Sequence, residues 1–192
     1  MKIVMDVVFF IVIILYTYRF ITVLIKMKKE KVFPVDKVDI DSIKKYPDKK
    51  LFPPTYSGQK PAILIHSILL IFVTVMFILG AFYSMFNWTL YFLIFLPIAN
   101  SYQLFNLFAV LEDGILSGSQ FIRWNRIKSC QFIPINIEHR FYGYSKTVND
   151  GYELKIKMGF MTTSSFVTSL ETKEKLQQIL NNYADGKVII GD

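Results

Sequence analysis

The chain has 192 residues, of which 53% are hydrophobic and 19% charged, which is apolar for a soluble protein. One cysteine excludes an internal disulfide and a cysteine-rich zinc site, and two histidines leave little for any other metal, so no cofactor is expected. The net charge of +7 is concentrated: residues 26–60 hold ten lysines against five acids, while residues 111–192 hold ten basic against nine acidic side chains, a near-balance that argues against nucleic acid as a partner.

Residues 1–25 read as a first transmembrane helix. Ile3–Ile25 is an apolar run interrupted by Asp6 and Arg19. A secretory signal peptide is the competing reading, but it needs a basic start and a small-residue cleavage site. Here Asp6 comes early, and Tyr16-Thr17-Tyr18-Arg19 is bulky where small residues belong. An uncleaved helix is expected. Lys26, Lys28, Lys29 and Lys31 follow it, so the positive-inside rule keeps that end in the cytoplasm and points the N-terminus outward. Arg19 can snorkel toward the inner headgroups.

Residues 26–61 read as a basic cytoplasmic loop punctuated by Pro34, Pro47, Pro53, Pro54 and Pro61. Proline fixes its own φ and pushes the preceding residue toward extended forms. A short helix over 39–46, capped by Asp39 or Asp41, is expected in an otherwise irregular segment near the inner leaflet. Its lysines set topology, or they contact anionic lipid.

Residues 62–108 read as a transmembrane hairpin. Ala62–Phe82 and Trp88–Phe108 are apolar runs of about 20 residues, enough to cross ~30 Å of hydrocarbon. Tyr83 and Trp88 suit the outer interface, and Pro97 predicts a kink. Asn100, Gln103 and Asn106 recur every three residues and share one face at about the depth of His66. This polar cluster is either interhelical glue or a proton or substrate path.

Residues 109–186 read as a small α+β domain, followed by a tail at 187–192. Asp113-Gly114 and Asp150-Gly151 are hairpin-turn dipeptides. Strands are expected near 107–112, 115–122, 127–135, 139–144, 152–159 and 162–168, the clearest being Tyr152–Met158, where apolar residues alternate with Glu153, Lys155 and Lys157. Leu176, Ile179, Leu180 and Tyr183 then mark one face of a helix, with Ser169 as N-cap and Gly186 as stop. No Gly-rich phosphate loop, paired-His motif or Gly-x-Ser-x-Gly elbow is present. His139 reads as an exposed loop residue and Cys130 as a small core residue, so an enzyme is not expected.

The order Glu112-Asp113-Gly114-Ile115, then Phe121-Ile122-Arg123-Trp124-Asn125-Arg126-Ile127-Lys128, then a strand and a final helix resembles the bacterial pleckstrin-homology-like (PH-like) domains, which often follow a membrane hairpin and are mostly of unknown function. The resemblance covers residues 108–183. It implies an antiparallel PH-like sheet or partial barrel closed by the C-terminal helix, with Trp124 and Ile127 packing the start of the next strand. It carries over no catalytic residue. The full expectation is a multi-pass bacterial plasma-membrane protein with three transmembrane helices, which presents a cytosolic interaction module at the inner surface. Arg123, Trp124, Arg126 and Lys128 are the candidates for contact with anionic headgroups or a membrane-protein partner. The alternative is an accessory or immunity subunit of a transport or export system, acting through its helices.

Overall fold

The structure is a computed structural model and describes residues 2–83, 96–98, 100–184 and 188–190. Two long helices come first among the apolar elements. Helix α1 spans Lys2–Met27 and helix α3 spans Lys60–Tyr83; Ile3–Met27 and Lys60–Phe82 are long and apolar enough to cross a membrane. Their outward faces carry exposed Val7, Phe10, Ile14, Ile21, Ile68, Phe72 and Val75. They meet through Ile13 and Val73 higher up and through Phe20, Val23, Ala62 and Leu70 lower down.

The expected third helix is described only in part. Residues 88–95 and 99 lie outside the described residues. Leu96, Pro97, Ile98 and Asn100 are helical, and Ile98 packs on Ile13 and Val73. The helix does not continue to Phe108: a 3-10 turn at Ser101–Gln103 ends it, and Phe108 opens a strand.

The segment between α1 and α3 departs from the expected irregular loop. Its short helix α2 is Lys37–Asp41, and Ile43–Lys44 forms strand β1. Phe33 exchanges backbone hydrogen bonds with Val110, and Phe33, Ile43 and Leu51 are buried in the domain core.

The remaining strands are β2 Phe108–Leu111, β3 Gly114–Ser117, β4 Gln120–Arg123, β5 Ser129–Pro134, β6 Tyr152–Met158, β7 Met161–Val167 and β8 Val188–Ile190. Helix α4 is the four-residue turn Lys146–Asn149, and helix α5 is Leu170–Tyr183. Strands β2-β3-β4 form one antiparallel sheet; the other has the order β1-β7-β6-β5-β8, antiparallel except for the parallel β5–β8 pair. These sheets pack together without closing a barrel. The expected strand at 139–144 is instead a series of turns.

The three-stranded sheet is the middle layer. Phe108, Val110, Ile115 and Ile122 face the larger sheet and α5, while Ala109, Leu116 and Phe121 face α1 and α3. Period-2 alternation therefore sends successive side chains into two different apolar environments. This explains why β2 and β3 are buried at every position. Gly114 is required here: a Cβ on it would lie 2.1 Å from the Ile122 carbonyl oxygen. Helix α5 buries Leu176 and Leu180 in the same core, and Ser169 caps it by accepting from the Thr172 N–H.

Candidate functional site at the junction of helices and sheets

The β2–β3 turn places Asp113 beneath the basic end of α1. Its carboxylate accepts from Lys26 Nζ and from Lys29 Nζ, the latter at 2.9 Å. Burial works to raise the Asp113 pKa, but the hydrogen bonds and charges of the two lysines hold it below the usual carboxylate value. The same bond and charge push Lys29 upward. Lys26 also lies over the Phe121 ring at 4.1 Å. Two of the four lysines that follow the first apolar run thus fasten the domain to the helix.

Strand β4 leads into a 3-10 turn, Trp124–Arg126, that gathers the four expected contact residues. The indole Nε1–H of Trp124 donates to the Glu112 carbonyl at 2.8 Å, and its ring stacks on Tyr183 with centroids 5.6 Å apart. Trp124 therefore ties the turn to α5, while Ile127 enters the core. Arg123, Arg126 and Lys128 stay exposed. The Lys128 N–H donates to the Lys157 carbonyl at 2.8 Å, which adds the exposed Lys157 beside them.

The polar cluster expected between helices is only partly assembled. His66 is 2% exposed, and its ring is stacked between Tyr16 and Phe20 with centroids at 5.2 and 4.4 Å. Neither ring nitrogen has a hydrogen-bond partner among the described residues. A cavity of about 30 Å³, room for one water, lies between His66, Tyr16, Arg19, Phe105, Ser119 and Gln120. Asn100 instead donates to Leu96 within its own helix, and both Asn100 and Gln103 are exposed. Asn106 turns to the preceding segment: its Nδ2 donates to the Lys50 carbonyl at 2.6 Å, and its backbone carbonyl accepts from the Phe52 N–H and Gln59 Nε2. The three-residue spacing holds one face only within a continuous helix, and the helix ends at Ser101–Gln103, so Asn106 leaves the stripe.

Two polar sites were not expected. Glu153 is buried and accepts from Ser164 Oγ, from Arg140 Nη2 at 2.8 Å and from His139 Nε2 at 3.0 Å. His139 Nδ1 accepts the Phe141 N–H, which leaves the ring proton on Nε2. His139 is therefore not an exposed loop residue; it pins the 135–144 turns over the sheet. Burial alone would raise the Glu153 pKa, but the hydrogen bonds from Ser164 and Arg140 and the Arg140 charge lower it. Strand alternation placed Glu153 on the solvent face, and only the apolar content of Phe141-Tyr142-Gly143-Tyr144 hinted that this loop covers something. The second site is Lys45, whose ammonium reaches Thr163 Oγ1 at 2.6 Å and the Ser164 carbonyl at 2.8 Å. Loss of hydration lowers its pKa to about 8. Cys130 is buried, as expected of a core residue.

The geometry defines a small two-sheet domain built onto a pair of apolar helices. Residues 106–185 match a family described as a domain of unknown function (DUF5673). No curated protein and no solved structure matches the chain. The matched region excludes both long helices, and it also excludes Phe33, Ile43 and Leu51, which complete its core.

Proposed function

We propose that the chain is a multi-pass bacterial plasma-membrane protein, non-enzymatic, with three transmembrane helices and its N-terminus outside. In this reading a PH-like module sits in the cytoplasm against the inner leaflet. The exposed apolar faces of α1 and α3 and the lysines after α1 support the anchoring and its direction. Two packed sheets followed by a helix that enters their core support the PH-like reading. The observation that carries the function is the Asp113 clamp to Lys26 and Lys29, because it holds the domain at the basic end of α1 with Arg123, Arg126 and Lys128 exposed beside it. Those cations are available to anionic headgroups or an acidic membrane-protein partner, each lysine or arginine contributing ~1 kcal/mol near an anionic surface.

Native mass spectrometry of the detergent-purified full chain tests this. Anionic lipid should be retained by the natural protein and lost when Arg123, Arg126 and Lys128 are all changed to Gln. Equal retention in both proteins would remove the lipid role. The second reading, an accessory or immunity subunit acting through its helices, draws on the His66 ring nitrogens, which have no partner among the described residues. Under that reading a His66→Phe change abolishes the transport or protection phenotype while leaving the fold intact.

A further inference from the structure

The β6–β7 hairpin carries an aromatic residue that the fold does not use. Met158 pairs with Met161, so the turn consists of Gly159 and Phe160. Gly159 has φ +55°, the left-handed conformation such tight turns need. Phe160 is 109% exposed, clear of the other described residues, and Met161 is 54% exposed. Two-residue turns ordinarily use Gly, Asn or Asp for conformational reasons, and none of those reasons selects phenylalanine.

The surroundings of this tip are cationic. Lys157 is exposed on β6 two residues before Gly159, and Lys128 is exposed at the paired start of β5, next to the turn that carries Arg126. From Leu154 to Leu170 the chain contains no acidic residue. Its position relative to the helices follows from contacts. Ser119 and Gln120, in the β3–β4 turn region, share a cavity with Tyr16 and Arg19 of α1. A Cβ on the neighbouring Gly118 would lie 3.4 Å from Lys45 Cε, and Lys45 Nζ bonds Thr163 and Ser164 of β7. One lysine side chain therefore spans the distance between a turn packed on α1 and the middle of β7. The tip lies three residues beyond Thr163, ~10 Å along the strand.

We propose that this tip is a membrane wedge: Phe160 and Met161 enter the headgroup–acyl boundary of an anionic leaflet, while Lys157, Lys128 and Arg126 meet its phosphates. An exposed apolar tip inside a basic collar complements an anionic bilayer, since each part matches one layer of it. The proposal rests on the reading that α1 and α3 cross the bilayer, and it adds the apolar tip and Lys157 to the cations of the neighbouring Arg123–Lys128 turn.

The test uses the full chain reconstituted in vesicles, with an environment-sensitive fluorophore on Phe160→Cys; the natural Cys130 is buried and stays unlabelled. Labels on Ile137→Cys and Ile71→Cys serve as references, since Ile137 is 80% exposed on a distant loop and Ile71 is 64% exposed on α3. In phosphatidylglycerol-containing vesicles the label at 160 should shift to the blue and be quenched by spin-labelled lipid, whereas the label at 137 should do neither. Pure phosphatidylcholine or high salt should reverse the effect at 160. Quenching at 71 with water-like emission at 160 would overturn the wedge alone and favour a protein partner at the tip. Absence of quenching at 71 would overturn the membrane reading, and the wedge with it.

Discussion

Lys175 Nζ on α5 donates to both carboxylate oxygens of Asp39 on α2, at 2.9 and 2.8 Å, across 136 residues of sequence. Asp39 also accepts the Val35 N–H at 2.9 Å and the Asp36 N–H at 3.4 Å, so one buried carboxylate closes its own helical turn and fastens that turn to the C-terminal helix.

Asp39→Ala should destabilise the protein by about 1–3 kcal/mol, because two backbone donors and a lysine lose their acceptor. Burial works to raise the Asp39 pKa, but the Lys175 bond, the two N–H donors and the Lys175 charge hold it below the ordinary value. A lowered carboxylate pKa contributes stability that is present above the unfolded-state value near 4 and is lost as pH falls through the folded-state value. Thermal melts in detergent should therefore show the natural protein losing stability in acid faster than the Asp39→Ala variant. Parallel acid profiles would contradict the role assigned to this pair.

Phe33 is 0% exposed and meets Phe108 edge-on with ring centroids 6.4 Å apart. Phe33→Ala should cost about 3–5 kcal/mol, as large core truncations do. For the same reason a polypeptide of residues 106–185 alone should fail to unfold cooperatively, since it lacks Phe33, Ile43 and Leu51. A sharp melting transition from that polypeptide would mean that the N-terminal segment is dispensable to the core.

Lys45 gives a pH prediction of the same sign in an alkaline window, because here burial disfavours the charged form. Its pKa is lowered to about 8 by burial, from an unfolded value near 10.5. Between those two values the unfolded state binds more protons than the folded state, so stability should rise with pH. Lys45→Met should flatten that rise and raise the melting temperature at neutral pH. A variant that is less stable than the natural protein at pH 7 would show that the ammonium's two hydrogen bonds outweigh its desolvation.

The parts of the fold legible in sequence were those governed by period and turn chemistry. The alternation of Tyr152–Met158, the 3.6-residue spacing of Leu176, Ile179 and Leu180, and the Asp113-Gly114 pair all point to the elements found there. The end of the third apolar run was not legible, because β2 is buried on both faces and a doubly buried strand reads as a continuous apolar run. Nor was the role of residues 31–52: Phe33, Ile43 and Leu51 lie in short apolar stretches between lysines and prolines with no regular period, and their burial follows from the pairing of Phe33 with Val110 and of Ile43 with Val167. At the candidate site, the PH-like resemblance implied the packing of Ile127, and Arg123, Arg126 and Lys128, named as contact candidates, are exposed. The Glu153 cluster was not legible, because two of its partners, His139 and Arg140, lie in a loop whose conformation no local rule fixes.

The central claim is that the two-sheet domain lies on the cytoplasmic side, held at the basic end of α1. Cysteine accessibility tests it most directly. Asp150 is exposed and Cys130 is buried, so an Asp150→Cys variant carries one reactive thiol. A membrane-impermeant maleimide should label it in inside-out vesicles and leave it unlabelled in sealed, right-side-out ones. Labelling from the outside of intact cells would place the domain on the wrong side and contradict the account.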